Sequence, residues 1–444
     1  MYADFAEIFR RLLGIDLPML SLFKSFGFLV ALAFFAAGYI LFLEIKRKAK
    51  QGIIGNGEVA EQIIDTRIDY KSFAIQALIG AVVGYKVFGL FGSYATSSSD
   101  PLNYIASLQG SIIGAVGGLL LFVGLKYMDL LSLRKKYGIT EEPITQKVRT
   151  PYHYRVGDLS LVAALAGFAG AKIFNAFETW SDFIKDPIGN FFSSSGLTFY
   201  GGLIVATFAL MWYTRKWQMD FKHLCDAAAP ALILAYGIGR LGCQVSGDGD
   251  WGIHNSAYVT NVQGVAVPAQ QADAFQQATV QYRSHFDREF GTNAEVPHKA
   301  IARPAALSFL PHWLFAYSYA HNVNRVGVPL QNCAGTYCTV LPVPVFPTPL
   351  YEFVGGVLIF LFLWSIRQKL KYALDMFGIY LVLNGLERFF VEGIRVNAKI
   401  HKFGLTYTQA EAIAVGLVLI GLLILVYNRT LGRSKNKFVE LASN

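Results

Sequence analysis

Apolar stretches close to 20 residues long recur along this chain, and they constrain its fold more than any other feature. A helix needs about 20 predominantly apolar residues to cross a bilayer, whereas a transmembrane β-strand shows about 10 alternating residues, a pattern absent from this sequence. The chain is also 54% hydrophobic and 16% charged, which argues against a soluble protein. The sequence therefore predicts an all-α polytopic membrane protein with nine transmembrane helices, at residues 25–43, 72–92, 108–128, 158–178, 197–214, 225–243, 350–367, 376–395 and 408–428.

Lys and Arg fall mainly in alternate loops between these stretches. Because cytoplasmic loops are enriched in both residues, we expect an outer N-terminus and a cytoplasmic C-terminus, with Lys399 and Lys402 as the exception on the outer side. The basic residues do not form a cluster, so the net charge of +9 predicts no nucleic-acid partner. The chain then divides into an outer segment at 1–24, a membrane bundle at 25–243, an outer periplasmic segment at 244–349, a second bundle at 350–428 and a cytoplasmic tail at 429–444.

Two local features leave alternatives open. The sixth stretch contains Pro230 and several glycines, so it forms either a continuous helix or a broken, partly re-entrant one. Cys333 and Cys338 lie in the long outer segment, where an oxidising compartment favours a disulfide over a metal site with two thiols.

Residues 72–128 resemble residues 158–214 at a constant offset of 86. Each copy holds two apolar stretches, so we interpret the pair as a duplicated helical hairpin whose copies share one orientation. Between residues 84 and 110 the identical pairs are Gly84/Gly170, Lys86/Lys172, Phe88/Phe174, Phe91/Phe177, Asp100/Asp186, Pro101/Pro187, Ser107/Ser193 and Gly110/Gly196.

Arg240 and Arg388 each lie deep in an apolar stretch. A charge at the bilayer centre costs about 2.5–3.5 kcal/mol on insertion scales, so such residues usually face a partner or a cavity. One interpretation is a structural ion pair between helices. The other is that the two guanidinium groups bind an anion such as a phosphate, for which their planar fork is suited. Arg388 and Glu392 are four residues apart and share a helix face.

Two further motifs open apolar stretches. "FPTPLYEF" at 346–353 begins the seventh and places Tyr351 and Glu352 near the outer surface, where Arg240 should emerge. "LTFYGG" at 197–202 begins the fifth with a phenol and paired glycines, which also permit close helix packing. Lys86 and Lys172, near helix ends, are interpreted as extending toward the membrane surface.

Five motifs in this order resemble the bacterial prolipoprotein diacylglyceryl transferases: "LTFYGGLI", "GRLGCQVSGDGDWG", "FPTPLYE", "NGLERFFVEGIR" and "GLTYTQAEAI". Members of that family are inner-membrane enzymes that transfer the diacylglyceryl group of phosphatidylglycerol to the lipobox cysteine of a prolipoprotein and release glycerol 1-phosphate. The resemblance covers stretch one and stretches four to nine. It therefore implies that the first copy of the repeat is an insertion.

The resemblance places Arg240 and Arg388 on the essential arginines of the family. It implies catalytic roles for these two residues and for Tyr200, Asp248 and Glu392, with the last three as candidate proton acceptors. The implied partners are phosphatidylglycerol, membrane lipids and a prolipoprotein lipobox segment, and no metal or cofactor is implied. The residues assigned to substrate binding are Arg240, Arg388, Tyr351, Glu352, Gly201, Gly202 and Gly242.

The chain departs from the family pattern at four positions. Tyr200 stands where the family has His before the paired glycines, and Phe26 stands where it has Tyr. Cys243 replaces an Asn, and Lys172 replaces an Arg. Two alternatives to the enzyme therefore stay open, namely a phospholipid-binding paralogue without catalytic activity and a membrane transporter, which the repeat would suit.

Overall fold

The computed structural model describes residues 1–17, 20–21, 23–55, 57–90, 104, 107–139, 142–192, 196, 198–333, 335–370, 372–397, 399–402 and 405–430. The chain forms two compact units. Unit 1 combines residues 1–45 with 222–444, and unit 2 comprises residues 46–221. Most of the predicted tail, at 431–444, lies outside the described residues, as do Phe91, Asp100, Pro101 and Ser193 of the repeat.

Long apolar helices dominate the described residues. They are α2 (Ser25–Lys50), α3 (Tyr70–Leu90), α4 (Ile112–Tyr137), α5 (Val156–Glu178), α8 (Phe199–Lys216), α9 (Phe221–Ser246), α12 (Thr348–Ile366), α13 (Asp375–Glu392) and α14 (Gln409–Thr430). The shorter helices are α1 (Phe5–Leu13), α6 (Trp180–Phe183), α7 (Pro187–Phe192), α10 (Ala274–Gln281) and α11 (Arg283–Phe290).

Among the described residues, 7 helices are long and apolar enough to cross a membrane, which confirms a mostly helical membrane protein. The two predicted spans outside this set still form helices, α8 and α13, of 18 residues each. Charged residues explain why these two helices fall outside this set. Helix α8 ends in Arg215 and Lys216, and α13 contains Asp375, Glu387, Arg388 and Glu392.

Unit 2 consists of two helical hairpins and one small sheet. Helix α3 packs on α4, and α5 packs on α8. Strands β1 (Glu58–Ile64) and β2 (Ile144–Thr150) pair in antiparallel fashion. Gly84 and Gly170, which are 86 residues apart, both lie at close helix contacts: an added Cβ would meet the carbonyl oxygen of Gly114 in the first hairpin and lie 2.5 Å from that of Gly201 in the second. The hairpins are therefore similar in packing as well as in sequence.

The two repeated lysines bind equivalent loop carbonyls. The Nζ of Lys86 donates to the carbonyl oxygen of Tyr104 at 3.1 Å, and that of Lys172 donates to the carbonyl oxygen of Asn190 at 3.5 Å. Tyr104 and Asn190 are themselves 86 residues apart. Lys172 is buried, and its ammonium group binds the segment that follows its own helix. Its extension toward the membrane surface stays a prediction.

In unit 1, α9 is one continuous helix that includes Pro230, so the alternative of a broken or re-entrant segment is wrong. Asp226, near its start, accepts hydrogen bonds from the backbone nitrogens of Leu374 (2.8 Å) and Phe377 (3.0 Å). Backbone N–H groups at the start of a helix have no acceptor within the helix, so Asp226 caps α13 from a neighbouring helix.

The segment between α9 and α12 is built from short elements around aromatic and aliphatic side chains. Trp251, Tyr319, Leu341 and Val345 form one buried cluster. A disulfide joins Cys333 and Cys338. The strands of this segment are β3 (His254–Asn255), β4 (Tyr258–Thr260), β5 (Ala266–Pro268), β6 (His298–Lys299), β7 (Val328–Pro329) and β8 (Thr339–Val340). Farther along the chain, β9 (Lys399–Lys402) pairs with β10 (Leu405–Thr408) before α14.

The packing of the first hairpin predicts that Gly84→Ala destabilises the protein. Its Cβ would overlap the backbone of Gly114, and such overpacking costs about 1–3 kcal/mol. Gly124→Ala is the matched control, because it lies in α4 of the same hairpin with nothing within 4 Å of an added Cβ. Both changes gain the same helix propensity. Thermal unfolding in detergent should give a lower midpoint for Gly84→Ala, and equal midpoints for the two variants would contradict this packing.

Candidate functional site

A fully buried carboxylate, that of Glu352, lies in the first turns of α12 and contacts several arginines. Its Oε1 accepts hydrogen bonds from Nη1 of Arg388 at 3.1 Å and from Nη1 of Arg395 at 3.2 Å. Its Oε2 lies 3.4 Å from Nε of Arg240. The hydroxyl of Tyr236 donates to Oε1 at 3.0 Å. Glu352 therefore joins side chains from α9, α12, α13 and the chain just after α13.

Two glycines bring Arg240 to this carboxylate. An added Cβ on Gly237 would lie 3.3 Å from the carbonyl oxygen of Phe353, and one on Gly356 would lie 3.1 Å from the Cα of Gly237. Helices α9 and α12 therefore approach closely. Arg240 is three residues after Gly237, and Glu352 is four residues before Gly356, so both share the face of this contact.

A turn after α9 returns an aspartate to Arg240. Gly247 and Gly249 have φ angles of 65° and 96°, which favour glycine. Asp250 then forms ion pairs with Nη1 of Arg240 through Oδ2 and with Nη2 of Arg395 through Oδ1. Asp250 thus links the two arginines through guanidinium nitrogens other than those that contact Glu352.

The pair that the sequence predicted on one face of α13 is present. Nη2 of Arg388 lies 2.9 Å from Oε2 of Glu392. The other oxygen of Glu392 accepts hydrogen bonds from Asn397 (2.5 Å) and Thr408 (2.7 Å). Glu392 is buried, so these contacts hold Arg388 in one direction and connect α13 to the start of α14.

We call the set of Arg240, Asp250, Glu352, Arg388, Glu392 and Arg395 the arginine cluster. It carries three positive and three negative formal charges, which balance. Its carboxylates differ in exposure, since Glu352 is 0% and Asp250 34% exposed. The side chains of Arg240 and Arg388 are 23% and 25% exposed. Asp250 is therefore the most accessible carboxylate of the cluster, and it pairs with Arg240 and Arg395.

The remaining predicted residues of unit 1 have other contacts. Oδ1 of Asp248 accepts the backbone N–H of Asp250 at 3.2 Å, so Asp250 and not Asp248 pairs with Arg240. The hydroxyl of Tyr351 donates to the carbonyl oxygen of Leu314 at 2.5 Å. Gly242 is buried against α2, where an added Cβ would lie 3.2 Å from the ring of Phe26. Substrate binding by Tyr351 and Gly242 stays a prediction.

Tyr200, Gly201 and Gly202 belong to unit 2, at the start of α8. Added Cβ atoms on the two glycines would lie 2.7 and 2.8 Å from the carbonyl oxygens of Gly170 and Gly167. These glycines therefore permit the close packing of α8 on α5. Tyr200 is 38% exposed, and its catalytic role stays a prediction.

Sequence reasoning did not assign site roles to Asp250, Arg395 or Tyr236. A usable signal existed for two of them. Arg395 is seven residues after Arg388, two helical turns away, and Tyr236 is four residues before Arg240 on one face of α9. Asp250 could not be separated from Asp248, because the backbone of a turn with two glycines decides which carboxylate faces the arginine.

The chain is similar to proteins of one known family. Residues 136–427 match the family model of prolipoprotein diacylglyceryl transferase. A phosphatidylglycerol–prolipoprotein diacylglyceryl transferase of Leptospira interrogans is 28% identical over 264 residues, which cover 54% of this chain and 61% of that relative. A protein of the same name from Xylella fastidiosa is 26% identical over 59% of this chain and 71% of its own length. The chain thus spans about three fifths of the Leptospira relative that it matches.

The geometry of the arginine cluster predicts that Glu352→Gln is strongly destabilising. The change preserves the shape of the side chain but leaves Arg240, Arg388 and Arg395 with an unbalanced positive charge in a buried place. Breaking a buried ion pair in this way costs about 3–5 kcal/mol. Thermal unfolding should show a large decrease, whereas Glu295→Gln, at an exposed position of the same unit, should unfold like the native chain. Equal midpoints for both variants would show that Glu352 does not hold the cluster together.

Proposed function

We propose a function for this chain, which belongs to the prolipoprotein diacylglyceryl transferase family, whose model matches residues 136–427. In this proposal the chain transfers the diacylglyceryl group of phosphatidylglycerol to the cysteine thiol of a prolipoprotein. Both substrates appear in the names of the relatives. The observation that carries the proposal is that Arg240 and Arg388, on separate helices, meet at one carboxylate while each stays partly exposed.

The reaction forms one bond and breaks one. The cysteine sulfur, as thiolate, attacks C3 of the diacylglyceryl unit, and an S–C bond forms. The C3–O bond breaks, and its electron pair leaves with glycerol 1-phosphate. Negative charge therefore grows on the phosphate in the transition state. Fixed positive groups at that position lower the barrier most, since they need no reorganisation.

In the proposed complex the lipid phosphate replaces Asp250 between Arg240 and Arg395. Asp250 is the most exposed carboxylate of the cluster, whereas Glu352 stays buried beneath. The exchange preserves the charge balance, because one monoanion replaces another. Arg388 is held by Glu352 and Glu392, and we propose that it supplies a third guanidinium to the departing phosphate.

The thiol also needs a proton acceptor, because the thiolate is the reacting form. Both oxygens of Glu392 are occupied by Arg388, Asn397 and Thr408, so we assign this residue a positioning role. Asp248 accepts one backbone N–H and is half-buried beside Asp250. Asp248 is therefore the proton acceptor of unit 1 to test first, and Tyr200 stays a candidate from the sequence alone.

The membrane topology belongs to the same proposal. We propose that α8 and α13 cross the bilayer together with the 7 more apolar helices, which gives nine spans. The alternating basic loops support an outer N-terminus and a cytoplasmic C-terminus in the bacterial inner membrane. The segment at 244–349 would then be periplasmic, where the disulfide between Cys333 and Cys338 is chemically favoured.

A phospholipid-binding protein without transferase activity is the second candidate. It is favoured by Cys243, which lies 3.9 Å from Nη1 of Arg240 in place of the Asn of the family pattern, and by Tyr200. Such a protein would bind phosphatidylglycerol in the arginine cluster but would not modify a thiol. The same assay separates the two candidates.

The assay combines the purified chain, phosphatidylglycerol and a lipobox peptide, and it measures the peptide mass. We expect the mass to increase by one diacylglyceryl group. Arg240→Ala and Arg388→Ala should each lower kcat/KM by about 100-fold or more, as loss of a donor to a developing negative charge does. Arg283→Ala, on an exposed face of α11, is the matched control and should retain the native rate.

No mass increase under conditions where the Leptospira relative is active would exclude the transferase. In that case, retention of phosphatidylglycerol by the native chain and its loss from both arginine variants would favour the binding protein. Native rates in Arg240→Ala or Arg388→Ala would contradict the phosphate-binding role of that arginine.

A further inference from the structure

Residues 299–314, "KAIARPAALSFLPHWL", form an irregular segment that is attached at both ends to membrane helices. At its start, Nζ of Lys299 donates to the carbonyl oxygen of Gly393, which directly follows α13, at 2.6 Å. At its end, the carbonyl oxygen of Leu314 accepts the hydroxyl of Tyr351, in the first turns of α12, at 2.5 Å. The segment is therefore held next to the end of α13 and the start of α12, two of the nine helices proposed above to cross the bilayer.

Large apolar side chains of this segment are exposed. Phe309 is 77% and Trp313 48% exposed, and Ile301 and Leu307 are exposed as well. Trp313 also lines a cavity of about 780 Å³ together with Leu350, which directly precedes Tyr351 at the start of α12. One of the exposed apolar side chains, that of Trp313, therefore lies near the beginning of α12.

The ionisable side chains of the segment are all basic. The segment contains Lys299, Arg303 and His312 but no Asp or Glu. The guanidinium of Arg303 donates to the carbonyl oxygen of Leu310 at 2.5 Å, which places a positive charge close to Phe309. Basic residues beside exposed aromatic and aliphatic side chains are typical of surfaces that lie in the headgroup region of anionic membranes.

We propose that residues 299–314 lie in the lipid–water interface and bind anionic phospholipids, with Phe309 and Trp313 reaching the boundary of the acyl chains. Two observations select a lipid surface as the occupant: the attachment to α12 and α13, and the absence of acidic residues from the segment. Aromatic side chains prefer this depth of the bilayer, where the ring is apolar and its surroundings are wet. The segment thus forms a docking surface for lipid beside the chain that carries Arg395.

Photo-crosslinking of the full chain tests the proposal. p-Benzoylphenylalanine is incorporated at position 309, and the protein is placed in nanodiscs with equal parts of phosphatidylglycerol and phosphatidylcholine. Val280→p-benzoylphenylalanine, on α10, is the matched control, since Val280 is 73% exposed in the same outer segment. We expect lipid adducts at position 309, measured by intact mass, to exceed those at position 280 by about tenfold.

The lipid class of the adducts gives a second readout. Phosphatidylglycerol should exceed phosphatidylcholine by at least about twofold among the adducts at position 309, because the segment is basic. The same probe at position 313 repeats the measurement if the variant at 309 does not fold. Equal adduct yields at 309 and 280, adducts to a second copy of the chain, or replacement of lipid adducts by an added lipobox peptide would each overturn the proposal.

Discussion

The buried carboxylate of Glu352 is the interaction on which the site depends. Without it, Arg240, Arg388 and Arg395 would be three like charges near one another in an apolar bundle, where each charge is costly. With it, their guanidinium groups face a common point within hydrogen-bonding distance of one carboxylate. These contacts thereby hold the helices that carry the arginines in fixed positions relative to one another. One fully buried acid contacts all three arginines, and a more exposed acid, Asp250, pairs with two of them.

Small residues make this arrangement possible. The close approach of α9 and α12 at Gly237 and Gly356 places Arg240 against Glu352, and the hairpins of unit 2 use Gly84 and Gly170 in the same way. Helices in a bilayer gain little from burying apolar surface, because lipid is equally apolar, so close backbone contact and polar links carry more of their association. Asp226, which caps α13 from α9, is another such link.

The sequence predicted the helical membrane fold, the repeat and the convergence of Arg240 with Arg388, because hydropathy and buried charge are strong local signals. It did not predict that Asp250 pairs with Arg240, because the choice between neighbouring aspartates depends on the left-handed backbone at Gly247 and Gly249. It also did not predict that the repeated lysines bind internal carbonyls, since a lysine near a helix end has the same pattern in either case.

Retention of phosphatidylglycerol by Asp250→Asn, measured by native mass spectrometry after purification from mixed lipid, tests directly whether the lipid phosphate binds in the arginine cluster. Asp250→Asn removes the charge with which the lipid phosphate competes, so we expect about tenfold stronger retention of phosphatidylglycerol and no change for phosphatidylcholine. The control is Asp287→Asn, because Asp287 is also about one-third exposed and pairs with Arg283 at 3.0 Å. Unchanged or weaker retention of phosphatidylglycerol by Asp250→Asn would contradict binding of the phosphate in the arginine cluster.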